Sequence, residues 1–153
     1  MKISIASDHG GFALKSAIGD ALRAAGHEVE DFGTDTPDDV DYPDFAEPAA
    51  REVATGGADL GVIVCGSGVG VAIVANKVDG VRAVNAHSVE EAQLSRQHNH
   101  ANVVTLGGRL IPDDLAIEIV NAFIATEEEG GRHDRRVDKI AAVERKLEDV
   151  QRA

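Results

Sequence analysis

Along this 153-residue chain, short apolar runs alternate with stretches whose apolar residues recur at helical spacing. KISIAS (2–7) reads as a strand. Leu14, Ala17, Ile18, Ala21, Leu22 and Ala25 then share one face of a helix that Gly26 stops. HEVEDFG (27–33) is a second strand. The acidic loop TDTPDDVDYPD (34–44) leads to a helix over 45–55, broken by Gly56 and Gly57. LGVIVC (60–65) has almost no polar alternation, the pattern of a central strand covered on both faces. A short helix is expected over 70–77 and a fourth strand over 81–86. Ser88 and Glu91 spell a capping box for a helix reaching Gln97. ANVVTLGG (101–108) is the fifth strand. Pro112 opens a helix with Leu115, Ile119 and Phe123 along one side. From Val137 a last helix carries Ile140, Val143, Leu147 and Val150 in a narrow seam, suited to covering a sheet or meeting a second copy.

Strands alternating with helices predict parallel βαβ units. The expected fold is therefore α/β, a three-layer, doubly wound sheet of five parallel strands, in one domain over 1–153. Ligands in such sheets bind beyond the carboxyl ends of the strands. That singles out Asp8 and His9, Thr34, Cys65 to Ser67, His87 and Ser88, and Gly107 to Arg109. The chain is 43% hydrophobic but only 3% aromatic, so the core is aliphatic. A net charge of −12 argues against a nucleic-acid partner, without excluding a small anion held by local charge. The single cysteine forms no internal disulfide, which fits a reducing compartment. The N-terminal apolar stretch is short for a signal peptide, and no apolar run approaches the ~20 residues of a membrane span. A cytoplasmic protein with no membrane partner is the expectation.

The chemistry gathers at three places. C-G-S-G-V-G (65–70) lies between a buried strand and a helix, where its amides suit an anion. It is neither a dinucleotide fingerprint nor a Walker loop, since Val71 stands where a third glycine belongs and no Lys-Ser or Lys-Thr pair follows. Cys65 just ahead of a helix N-terminus is expected to ionise more readily than a free thiol. It has no resolving cysteine, no metal ligands at motif spacing, and no Arg six residues on. Nucleophile and proton-transfer base both remain open. Asp8-His9 and His98-Asn99 supply polar groups near expected strand ends. GGRHDRR (130–136) reads as an exposed loop, and its arginines offer forked donors that suit phosphate. A base, an acid-capable imidazole, an anion cradle and an arginine clamp together suit proton shuttling beside the carbonyl of a phosphorylated substrate.

Taken in order, SDHGGFALK, DYPDFA, CGSGVG, ANK with GVRA, SRQHNHANV and GGRHDRRV resemble the type-B ribose-5-phosphate isomerases, within the family that also holds galactose-6-phosphate isomerase subunits. The resemblance covers about residues 1–145. It implies a Rossmann-like sheet and a small phosphorylated sugar as ligand. It also implies aldose–ketose interconversion through a cis-enediolate, no cofactor, no metal, and sites between the subunits of a homodimer or tetramer. It makes Cys65 the base and Ser67, where many members carry Thr, its hydroxyl partner. His98 becomes the group that opens the sugar ring. Asp8 and Asn99, and with them Tyr42, map onto sugar contacts. His9, Arg109, Arg132 and Arg136 map onto phosphate contacts, and Gly66, Gly68 and Gly70 onto the amide cradle. A six-carbon substrate such as allose 6-phosphate or galactose 6-phosphate, a non-catalytic phosphosugar sensor and a reactive-thiol redox protein are the alternative readings.

Overall fold

The computed structural model describes residues 1–153, the side chain of Leu147 excepted. The elements run β1 (Lys2–Ser7), a 3-10 turn (His9–Gly11), α1 (Phe12–Ala24), β2 (Glu28–Asp31), α2 (Pro43–Ala54), β3 (Leu60–Cys65) and α3 (Val69–Ala75). They continue with β4 (Ala83–Asn85), α4 (Val89–Asn99), β5 (Val103–Gly107), α5 (Asp113–Ala125) and α6 (Arg132–Arg152). Every strand pairing is parallel, in the order β2-β1-β3-β5-β4. The five-stranded, doubly wound sheet expected from the alternation is the one observed. No helix is long and apolar enough to cross a membrane, among the described residues.

Two aliphatic cores flank the sheet. On one face α1, α4 and α5 bury Leu14, Ile18, Leu22, Ala92, Ile119 and Phe123 against Ile3, Ile5, Val62, Val64 and Leu106. On the other, α2 and α3 bury Ala46, Ala49, Ala50, Val71 and Ala75 against Ala6, Ile63, Cys65 and Val103. All six residues of β3 are buried, as their unbroken apolar run requires of the middle strand. Three alanines let α2 approach β1 closely enough for Ser4 Oγ to donate to the Ala49 carbonyl at 3.0 Å. The chain turns one way from β1 to β2 and the other way from β3 to β4. The point of reversal therefore lies between β1 and β3, and a crevice opens beyond their carboxyl ends.

Several local expectations shift. The buried face of α1 is rotated: Ala25 is exposed, while Lys15 is buried and donates to Asp31 Oδ1 at 2.8 Å and to the Thr34 carbonyl at 2.7 Å. Glu91 completes the α4 cap one residue further back than a standard box, accepting from the His87 amide at 2.6 Å. Pro112 caps α5 instead of occupying its first turn. The largest change is α6, which starts at Arg132 rather than Val137. The Asp134 carboxylate accepts from the Gly131 amide at 2.8 Å, so the GGRHDRR stretch is a helix start and not a loop. Along the seam of α6, Ile140 is 41% exposed, Val143 56% and Val150 75%. Leu147 lies outside the described side chains.

Candidate active site

The crevice at the reversal point is a cleft of about 620 Å³ lined by Asp8, Tyr42, Cys65, Gly66, Ser67, Gly70 and Arg109, with Val69, Ile73 and Leu110 at its apolar rim. Each lining group is delivered by a strand end. β1 ends at Ser7 and hands Asp8 to the turn, where its Oδ1 accepts from the Gly11 amide at 3.0 Å. β3 ends in Cys65, only 4% exposed yet bordering the cleft. β5 ends at Gly107, opposite Cys65, and the chain then swings Arg109 over Gly66.

The glycine loop is held tightly. Gly68 has φ +78°, and a Cβ there would meet Asn85 Oδ1 at 2.4 Å and the Leu106 carbonyl carbon at 2.8 Å. Thr105 Oγ1 donates to the Gly68 carbonyl at 2.9 Å, and Asn85 Nδ2 donates to the Ser67 carbonyl at 3.4 Å. So pinned, the Gly68 amide points at Cys65 Sγ, 3.1 Å away, and the Val69 amide donates to Ser67 Oγ at 3.2 Å. The cradle thus differs from the expectation for Gly68, whose N–H is engaged by the sulfur instead of facing the cleft. Gly70 gives the Tyr42 ring its place, since a Cβ would stand 2.7 Å from Cζ. Its amide lies in the first turn of α3 and has no intrahelical acceptor.

His9 follows Asp8 on the same edge. Its Nδ1 accepts from the Val40 amide at 3.2 Å, which leaves Nε2 as the protonated nitrogen, 3.4 Å from Asp39. The loop 34–42 is thus tied to His9 at Val40, borders the cleft through Tyr42 and is anchored at its root by Lys15.

His98, Arg132 and Arg136 gather around His133 in a second cluster, and the chain does not bring it to Cys65. Asn99 lines a separate groove with Ser95, Ile140 and Val143. Helix α4 ends at Asn99 and feeds β5 from its amino end, whereas Cys65 lies beside the carboxyl end of β5. The length of β5 from Val103 to Gly107, ~13 Å along the strand, lies between the levels of the two groups. Within one subunit the two groups therefore stand apart, because in a parallel sheet helices finish at the edge opposite the one where they start; the sequence leaves open which subunit's arginines would serve a given Cys65.

The second cluster is well built. His100 ends α4 at φ 48°, and its Nε2 lies 2.8 Å from the Glu129 carbonyl oxygen. Arg96 donates to the Thr126 and Ala101 carbonyls at 3.2 and 2.6 Å. Together they clamp residues 126–131 against α4 and so bring α6 to His98. The His98 and His133 rings stack with centroids 4.3 Å apart and planes 3° from parallel. Glu129 Oε2 lies 3.9 Å from His98 Nε2 and 3.5 Å from His133 Nε2. His98, Glu129 and His133 are metal-type donors, but parallel rings do not aim their lone pairs at one point, and Arg132 and Arg136 stand beside them. Sequence reasoning assigned no role to His133, Lys15, Thr105 or Asn85. Only His133, inside the basic stretch, carried a signal. The other three act through tertiary contacts.

A family model described as Ribose/Galactose Isomerase matches residues 3–140. The chain is 46% identical to ribose-5-phosphate isomerase B of Escherichia coli (strain K12) over 95% of its own length and 97% of that protein. A solved structure of Clostridium thermocellum ribose-5-phosphate isomerase B matches with a TM-score of 0.95 at 48% identity, covering 96% of this chain and 99% of that one. A structure of ribose-5-phosphate isomerase B from Mycoplasma genitalium with bound ribulose 5-phosphate matches with a TM-score of 0.91 at 45% identity, over 94% and 96% of the two chains.

Proposed function

The chain belongs to the ribose/galactose isomerase family, and from that premise we propose that it interconverts ribose 5-phosphate and ribulose 5-phosphate by proton transfer through Cys65. The observation that carries the reading is the sulfur itself, bordering an open cleft and receiving the Gly68 amide. A hydrogen bond of that kind strengthens as the acceptor gains negative charge.

The reaction then runs as follows. His98 takes the proton from the anomeric hydroxyl and returns one to the ring oxygen as the C1–O4 bond breaks, leaving an open-chain aldehyde. The Cys65 thiolate removes the proton from C2, and the electron pair moves onto O1 to form the cis-enediolate. Ser67 and the free amides of the loop donate to the two oxygens where charge develops, while Asp8, an acceptor, takes a hydrogen bond from a sugar hydroxyl. A proton passes from O2 to O1, relayed by the Ser67 hydroxyl, and Cys65 returns the proton it took to C1 as the C2 carbonyl forms, so that the ketose leaves. His9, Arg109, Arg132 and Arg136 hold the phosphate, and Tyr42 and Asn99 the sugar hydroxyls.

With Cys65 and His98 at opposite edges of one sheet, this scheme requires a second copy. The half-site of one subunit, with Cys65, faces the half-site of its partner, with His98, Arg132 and Arg136. The exposed apolar side chains Val69 and Ile73 beside the cleft, and Ile140 and Val143 on α6, suit such an isologous contact. Mixing tests it. Cys65→Ser and His98→Ala homodimers are each expected to be inactive. Random exchange of equal amounts puts both defects into one site of every mixed dimer and leaves its other site intact, restoring about a quarter of the wild-type turnover of ribose 5-phosphate. Mixed dimers that stay inactive would refute the shared site. Full activity in Cys65→Ser alone would remove the thiol from the mechanism. Preference for a six-carbon aldose phosphate in the wild type would shift the substrate and keep the chemistry.

A further inference from the structure

His133 has no direct role in the scheme above, yet it joins two groups that do. It sits in the first turn of α6 and is 5% exposed. Its ring lies flat against His98, and its Nε2 accepts from Arg132 Nε at 3.4 Å. Its Nδ1 is buried with no hydrogen-bond partner. A phenyl ring would fill the same space without burying an unsatisfied nitrogen. What the imidazole adds is the acceptor for Arg132 together with a flat, narrow face for His98.

We propose that His133 is a positioning residue that holds the His98 imidazole and the Arg132 guanidinium as one unit, so that the ring-opening group and the phosphate clamp keep a fixed separation. The inference rests on the role given to His98 above. The separation matters because a cyclic sugar phosphate offers its anomeric hydroxyl and its phosphate at a set distance, and misplacing a proton-transfer group by about 1 Å can cost a hundredfold in rate.

The charges around the ring agree with this. Burial first, then the neighbouring charges of His98, Arg132 and Arg136, hold the His133 pKa below its ordinary value, against the opposite pull of Glu129. A neutral His133 lets the stacked His98 take up a proton without a like charge against its face. The same positive surroundings weigh against a divalent cation using these donors.

The test separates ring opening from enolisation. Ribulose 5-phosphate has its C5 oxygen esterified, so its C2 carbonyl closes no furanose ring. Exchange of its C1 hydrogen in deuterated water therefore needs Cys65 but not His98. In His133→Ala, kcat for ribose 5-phosphate is expected to fall about 10- to 100-fold. C1 exchange at saturating ribulose 5-phosphate should change less than about threefold, with KM raised alike for both sugars through Arg132. His133→Phe keeps the stack without the acceptor. It should recover most of kcat while KM stays raised, and its thermal melt shows whether the helix start is intact. Equal loss in both assays, or no loss in either, overturns the proposal. Wild-type protein that neither turns over ribose 5-phosphate nor exchanges ribulose 5-phosphate overturns the assigned function instead, and this inference with it.

Discussion

Replacing Gly68 with alanine tests how tightly the sulfur's hydrogen-bond donor is built into the fold. Gly56 provides the control. Both have similarly positive φ, +78° and +80°, but a Cβ on Gly56 meets nothing within 4 Å, whereas one on Gly68 overlaps Asn85 Oδ1 at 2.4 Å and the Leu106 backbone at 2.8 Å. The left-handed backbone alone costs an alanine about 1–2 kcal/mol. Overpacking against backbone adds about 1–3 kcal/mol, since Leu106 lies in the buried strand β5 and has nowhere to go. Gly56→Ala is thus expected to lose about 1–2 kcal/mol and Gly68→Ala about 2–5 kcal/mol, a difference readable in urea unfolding. The catalytic effect follows from the same displacement. The clash pushes residue 68 away from β5, and its amide no longer meets Cys65 Sγ. Removing one preorganised donor from an anionic centre commonly costs a hundredfold or more, so kcat should drop at least about tenfold in Gly68→Ala and stay near wild type in Gly56→Ala. If the two variants lose equal stability, the tight contact against β5 is not what the geometry implies. If Gly68→Ala unfolds more easily but turns over normally, the amide does not serve the sulfur.

Three further outcomes follow from groups outside the cleft. Lys15→Met keeps the buried stem but removes the ammonium that joins Asp31 to the Thr34 carbonyl; it should cost about 2–4 kcal/mol in urea unfolding, and a loss below about 0.5 kcal/mol would show the pair to be idle. Asp39→Ala frees His9 Nε2 and removes a negative charge near the phosphate contacts, so KM for a sugar phosphate should fall about twofold at low salt and less at high salt; a rise in KM would mean that Asp39 supports binding instead. Because the folded chain holds the His133 pKa below its ordinary value, the unfolded chain binds the extra proton, and stability falls as pH drops from about 7 through the histidine range. His133→Phe should flatten that decline in thermal melts taken between about pH 7 and pH 5, and an unchanged slope would assign the decline to other groups.

The sheet was legible because its signals are local. An unbroken apolar run such as LGVIVC has few alternatives to a central strand, and Gly26 and Ser88 mark helix ends through their own backbone and side-chain geometry. The chemistry at the carboxyl ends of β1, β3 and β5 followed from the architecture, and Asp8, Cys65, Ser67 and Arg109 do meet there. Two kinds of feature were not legible. Lys15 among apolar neighbours has no sequence signature, since its partners Asp31 and Thr34 reach it only once β2 lies beside β1. The start of α6 was obscured because charge in GGRHDRR suggests a solvated loop, although Asp134 three residues after Gly131 is a cap signal in its own right.

His98 is the instructive case. Its place at the end of a helix, before β5, already assigns it to the amino edge of the sheet, opposite Cys65. An acid–base group on the wrong edge has two physical explanations: it is idle, or another molecule faces it. Idleness does not explain the construction around it. Arg96 and His100 anchor the preceding turn, a parallel imidazole supports the ring, and Arg132 is bonded to that imidazole. A buried nitrogen left unpaired at His133 is a cost that packing alone would remove. The proposed function accounts for that construction: in it each chain carries two unlike halves of a site, and two copies related by a two-fold axis would complete both sites at once.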